Sequence, residues 1–187
     1  MRDVLRTRVM DAAVELICNE GWSGVTVERL AARLGVRPEI VRDEFGTKDE
    51  LGAAVVVRET DRFVLGISRR LHEHADAGAA VAAAVSYTLT TGAENRLVRA
   101  IVAGSDGPDA DLSPLAATEF ENVVRRVVEA IVHVVRQQRF ADLGGLDVER
   151  AVERLVRMTL GHLVQRTMPI ETAMAEIRAA VSDLLPA

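Results

Sequence analysis

Apolar residues recur along this chain at steps of three and four, and no segment shows the alternation of a half-buried strand. Leu5, Val9, Ala12, Ala13, Leu16 and Ile17 form the first stripe, which predicts an amphipathic helix closed by Gly21. Thr26 is a good N-cap for a short second helix carrying Val27, Leu30, Ala31 and Leu34, and Gly35 stops it. Pro38 suits the first turn of a third helix, which runs to about Phe45, because proline's missing N–H is not needed there. Thr47-Lys48-Asp49-Glu50 reads as a capping box. It opens a long fourth helix with Leu51, Val55, Val56, Phe63, Ile67 and Leu71 on one face.

Beyond a break at Gly78, the pattern predicts a fifth helix over 79–91 and a sixth over 94–103. Residues 104–113 read as an acidic loop, and Ser113-Pro114 starts a long seventh helix. Its apolar face carries Phe120, Val124, Val127, Ile131 and Val135, widened by Val123, Val128 and Val132. Ala141 to Asp147 is a second linker, followed by an eighth helix over 147–166 and a ninth over 170–185, opened by Pro169. The expectation is an all-α chain of about nine helices. Residues 1–47 form a helix-turn-helix head and 48–187 a helical body. No internal repeat is visible.

Composition narrows the classes. Hydrophobic residues make up 49% and aromatics 3% of the 187 residues, so the core is built from Val, Leu, Ala and Ile. No uninterrupted apolar run approaches the ~20 residues of a membrane span. Met1-Arg2-Asp3 leads into an amphipathic segment and does not read as a signal peptide. Cys18 is the single cysteine, which rules out an intrachain disulfide and fits a reducing cytoplasm. Beside Leu16 and Ile17 it is expected to be a buried structural thiol. A net charge of −5 argues against a protein that coats nucleic acid, while leaving room for a local DNA-reading surface.

The most informative spacing runs from Leu30-Ala31 to Val41. Two closely crossing helices need a small residue at the contact, and Ala31 supplies it. Gly35 allows the sharp turn four residues later, and Val36 and Val41 return the next helix onto Leu30 and Leu34. Such a pair presents its second helix to the DNA major groove. The first quarter of the chain resembles the tetracycline-repressor (TetR) family. The likeness rests on Ala12-Ala13, Glu20-Gly21-Trp22, Val25-Thr26-Val27, Leu30-Ala31, Leu34-Gly35-Val36, Phe45 and Lys48-Asp49-Glu50-Leu51.

The resemblance implies a DNA head made of three helices and the start of the fourth. It also implies a ligand pocket in the body and a last helix pair that joins a partner subunit in a four-helix bundle. By position, Thr26 and Lys48 would touch DNA phosphates, and residues 37–43 would face the groove. Thr26 and Lys48 also stand at helix N-termini, where free N–H groups and the dipole favour an anion. The groove-facing set is Arg37, Pro38, Glu39, Arg42 and Asp43. It departs from the family's usual residues, which are small or hydroxylated at 37, aromatic at 42 and non-acidic near 43–44. Residues 1–50 hold eight bases against ten acids, so non-specific DNA binding is expected to be weak.

In the body, His133 shares a polar stripe with Asn122, Arg126, Glu129 and Arg136, which reads as a solvated face. His72 and His74 stand two apart near a helix end and do not share a face, so they do not form a metal pair. Tyr87, Thr91, Thr159 and His162 are candidate pocket residues. A packing tyrosine is the alternative for Tyr87. For His162 the alternatives are an interface residue and a satisfied core histidine. Leu155, Thr159, Leu163, Met174, Ile177, Val181 and Leu184 are spaced to pack against another helix, and the family likeness assigns them to the dimer interface.

The expected partners are a near-palindromic double-stranded operator, a second copy of the chain and a small, mostly apolar effector, with no membrane. A ligand-released repressor is the leading reading. A TetR-fold binding protein with a weak head is the alternative. No phosphate loop, metal-ligand spacing or nucleophile–base pattern supports an enzyme, and no cofactor is called for.

Overall fold

A computed structural model of the chain describes residues 2–103, 120–138, 147–165 and 168–184. Among these residues there are nine α-helices and no strand. They are α1 (Arg2–Glu20), α2 (Val27–Leu34), α3 (Pro38–Phe45), α4 (Lys48–His72), α5 (Ala77–Glu94), α6 (Arg96–Ala103), α7 (Phe120–Gln138), α8 (Val148–Gln165) and α9 (Ile170–Leu184). A single 3-10 turn, Trp22–Gly24, links α1 to α2. No described helix is long and apolar enough to cross a membrane.

Local chemistry fixes most of the helix ends. Thr26 accepts a bond from the Arg29 N–H at 3.2 Å and caps α2. Gly35 ends it in the left-handed region, at φ 67°, while the Val36 N–H returns to the Ala31 carbonyl at 3.0 Å. At α4 both halves of the capping box form. The Thr47 hydroxyl accepts from the Glu50 N–H, and the Glu50 carboxylate accepts from the Thr47 N–H at 2.8 Å.

Two boundaries differ from the pattern reading. The break between α4 and α5 lies at 73–76, not at Gly78. Asp76 is the N-cap of α5, accepting from the Ala79 N–H at 2.7 Å, so Gly78 falls inside the first turn. Between α5 and α6 stands Asn95, whose side chain accepts from the N–H groups of Leu97 and Val98. The expected loop at 104–113, the helix start at Ser113-Pro114 and the linker from Ala141 lie outside the described residues.

Cys18 is exposed, which corrects the expectation of a buried thiol. The helical stripe ends at Ile17, and the next residue is already turned about 100° away toward solvent.

One core joins α1, α2 and α3 to the first turns of α4. It contains Val9, Leu16, Ile17, Trp22, Leu30, Val41, Phe45, Leu51 and Val55, with Leu97 of α6 reaching in from the body. Three smaller cores lie in the body, on α5 with α8 and α9, on α4 with α5 and α7, and on α7 with α8.

Candidate nucleic-acid interface and ligand cavity

Helix α3 buries Val41 and Phe45 and leaves Arg37, Glu39, Arg42 and Asp43 exposed, with Pro38 half-buried at its start. The side chains expected to face a groove therefore share one solvent-facing surface. Their electrostatic state is less open than the sequence suggests. Arg42 forms an ion pair with Glu28 of α2. Arg29 is paired with Glu20 at 2.6 Å, and Arg33 with Glu15. Arg6 reaches Glu44 at 3.1 Å while its guanidinium lies over the Phe45 ring. Arg37 has no ion-pair partner among the described residues.

The two expected phosphate contacts also have internal roles. The Thr26 hydroxyl oxygen is the cap of α2, which leaves its O–H free to donate outward. Lys48 donates from Nζ to the Trp22 carbonyl at 2.8 Å, and its ammonium stands 4.6 Å from the centre of the Trp22 ring. The carboxylate of Glu20 lies below its usual range, chiefly through the side-chain bonds from Arg29.

The body holds a cavity of about 110 Å³. Thr60, Phe63 and Ile67 of α4, Ala84 and Thr88 of α5 and Leu97 of α6 form part of its wall. Val127 and Ile131 of α7 and Val156 and Thr159 of α8 close the other side. The lining is almost wholly aliphatic. Its three threonines each donate back to their own helix, Thr60 to Val56 and Thr88 to Ala84 at 2.8 Å, Thr159 to Leu155 at 2.7 Å. Their methyl groups and remaining lone pairs are what a ligand would meet. A second depression, of about 360 Å³, lies between α5 and α9 beside Met174, Arg178 and Ser182. It touches no residue of the head core, whereas Leu97 belongs to both the first cavity and that core.

Of the four expected pocket residues, only Thr159 lines the first cavity. Tyr87 packs on Phe63 with ring centres 5.5 Å apart and lies against Gly66, where a Cβ would clash with its ring. These contacts fit the alternative reading of a packing tyrosine. Thr91 lies one turn further along α5 and is not part of the lining. His162 sits beside Glu176 of α9 with its Nε2 3.5 Å from the carboxylate, outside the cavity. The sequence reading missed Thr60 and Thr88. Both interrupt apolar stripes, Thr60 one turn after Val56 and Thr88 one turn after Ala84, and that placement was the available signal.

The described members of the expected interface set are turned toward the protomer's own interior. Leu163, Ile177 and Val181 pack with Val85 and Leu89 of α5. Leu155 and Thr159 line the cavity, and Met174 lies in the second depression. The side chain of Leu184 lies outside the described residues. Periodicity identifies an apolar face but not what covers it, and α5 is the nearer partner. The outward side of α8 and α9 presents Gly161, Ala175 and Ala179 instead. His133, Asn122, Arg126, Glu129 and Arg136 are exposed, as their polar stripe predicts.

Two family models match the chain. Residues 9–55 match the bacterial regulatory proteins of the tetR family, and residues 76–185 match the bacterial tetracycline repressor C-terminal domain. The HTH-type transcriptional regulator AlkX of Mycobacterium tuberculosis is 32% identical over 63 residues. That alignment covers 34% of this chain and only 30% of the relative. Among solved structures, the TetR-family repressor AlkX from Dietzia sp. superposes with a TM-score of 0.70 at 19% identity, covering 96% of this chain and 98% of that one. The regulator FadR from Bacillus subtilis, in complex with stearoyl-CoA, gives 0.64 at 14% identity over 96% and 99%.

Proposed function

The chain belongs to the TetR family of bacterial transcriptional regulators, and on that premise we propose that it is a cytoplasmic repressor released from its operator when a small, mostly apolar molecule fills the cavity. Its N-terminus is a DNA-binding helix-turn-helix and its C-terminal domain binds ligand. Members of this family are regulators rather than enzymes, and typically bind operator DNA and small-molecule effectors as dimers.

The observation that carries the reading is Leu97, 5% exposed, which belongs at once to the cavity wall and to the head core. One residue further back, Arg96 donates to the carbonyls of Ile17 and Cys18 at the end of α1. A ligand that displaces α6 must therefore disturb the seat of the head. It would stabilise a head spacing unsuited to DNA by a shift of population. Two relatives support an apolar effector. Dietzia AlkX is implicated in biodegradation of n-alkanes, and Bacillus subtilis FadR is complexed with stearoyl-CoA.

In the DNA-bound form, α3 would lie in the major groove with Arg37, Pro38, Glu39, Arg42 and Asp43, while Thr26 and Lys48 hold phosphates. A two-fold dimer, formed through the outward face of α8 and α9, would place two heads roughly 34–36 Å apart on a near-palindromic site. Gel-shift against the DNA upstream of its own reading frame tests this. Specific, salt-sensitive retardation is expected. The paired state of Arg6, Arg29, Arg33 and Arg42 favours a second reading, a ligand-binding relative with a weak head. A folded dimer that gives no shift at low salt would establish that second reading and end the first.

A further inference from the structure

One ionisable residue lines the cavity among the described residues, and it is an acid. Glu59 of α4 lines the cavity and is largely buried, its side chain 13% exposed. One of its oxygens, Oε1, accepts from Arg58 Nε at 3.1 Å, Arg58 Nη2 at 2.9 Å and Arg62 Nη1 at 3.0 Å. The same two arginines also hold Asp11 of α1. Arg58 Nη1 stands 2.9 Å from Asp11 Oδ1 and Arg62 Nη2 3.3 Å from it. Arg58 Nη1 further donates to the Thr7 carbonyl of α1 at 3.2 Å. Two carboxylates and two guanidiniums thus close a ring of charge that ties the cavity wall to the first helix of the head.

We propose that Glu59 selects the effector as an uncharged aliphatic molecule with a hydroxyl donor, and passes occupancy to α1 through Arg58, Arg62 and Asp11. The inference rests on the reading of the cavity as the effector site. The three wall threonines already donate to their own backbones, so the described wall offers acceptors and no free side-chain donor. No described Lys, Arg or His lines the cavity. The nitrogens of Arg58 and the two Nη groups of Arg62 are engaged by Glu59, Asp11 and Thr7. A ligand carboxylate would meet like charge in a low-dielectric site, which is strongly unfavourable. A ligand hydroxyl can donate to the Glu59 carboxylate, a charge-assisted bond. Donation to Oε1, the oxygen that the arginines share, competes with them and loosens their hold on α1.

Calorimetric titration of the full chain, without DNA, tests the selection with octanol, octyl methyl ether and octanoate. Octanol is expected to bind about tenfold more tightly than either of the others, the size of one hydrogen bond to a charged group. In Glu59→Gln, with folding checked by its melting curve, the preference over octanoate should fall to within about threefold. Amide hydrogen exchange over α1 reads the transmission. Octanol should change it by at least about threefold in the native chain, a difference well within what local opening equilibria report. In Asp11→Asn that response should be lost, with octanol affinity changed by no more than about the same threefold, as reciprocity of the coupling requires. If octanoate matches octanol, or Glu59→Gln keeps the full preference, the selecting role falls. If α1 exchange ignores octanol in the native chain, the transmission falls. Binding of the ether as tightly as octanol would leave the cavity as an apolar effector site and remove Glu59 from it. None of these results depends on a gel shift, so failure of the operator reading is seen separately.

Discussion

In the head, Val9, Ala13, Leu16, Ile17, Val25, Leu30 and Val41 are each at most 3% exposed, in one core closed by Trp22 and Phe45. In the body, the same kinds of aliphatic residue fall into three smaller clusters around a void of about 110 Å³. The contrast is one of filling rather than composition. A densely filled unit has a single shape and transmits force, whereas a unit with a void can gain contacts by admitting a guest. Charge divides in a related way: Arg6, Arg29, Arg33 and Arg42 of the head are matched to nearby acids, while Glu59 alone among the described ionisable residues lines the void.

The largest test of this contrast is a pair of truncations. Leu30→Ala in the head should lower unfolding stability by about 2–5 kcal/mol, measured as a shift of the urea midpoint at constant slope. Leu155→Ala should lower it by less than half as much, because Leu155 already faces empty space on one side. Equal losses would mean that the two regions are packed alike.

A pair of enlargements should separate in sign. Ala31→Leu, at a site 1% exposed in the helix crossing, is expected to destabilise by about 1–3 kcal/mol through overpacking. Ala84→Leu projects into the cavity and should leave the melting temperature unchanged or raised, while weakening binding of octanol. A destabilised Ala84→Leu would show that the void is not available space.

Smaller again is the effect at the start of α4. Thr47→Ala removes the capping box and should cost about 1 kcal/mol by denaturant titration. No change would show that the end of α4 is held by packing alone.

The smallest effect is one of pH. The Glu50 carboxylate is held below its usual range, first by the Thr47 backbone N–H and then by the Thr47 hydroxyl. A depressed folded value means support that is complete above the unfolded value and lost as pH falls through the folded one. Melting temperatures taken downward from neutral pH should therefore fall less steeply in Glu50→Gln than in the native chain. Parallel curves would assign the acid sensitivity to other carboxylates.

Helix ends that depend on one residue were legible from the chain alone, as Thr26, Gly35, Pro38 and Thr47 show. The end at Gly78 was misplaced because Asp76, two residues earlier, supplies a side-chain acceptor that outweighs a nearby glycine. The exposed side of α3 was legible because Val41 and Phe45 fix which side is buried. The partners of its arginines were not, since Glu28 lies fourteen positions from Arg42 and only the crossing of α2 and α3 brings them together. For the cavity, polarity drew attention to Tyr87 and Thr91, whereas helical phase selects Thr88 between them. The inward turn of Leu163, Ile177 and Val181 depends on where α5 lies, which periodicity does not contain.

The core of the head does not stop where its recognition helices stop. Leu51, Val55 and Val56 of α4 and Leu97 of α6 complete it, and Arg96 fastens the end of α1. For protein engineering, this sets the rule for making hybrids. A fragment cut at residue 47 and grafted onto a foreign sensor would arrive with an open floor. A graft that carries its own α4 through Val56, on a recipient whose sixth helix offers a leucine and an arginine in the places of Leu97 and Arg96, would arrive closed.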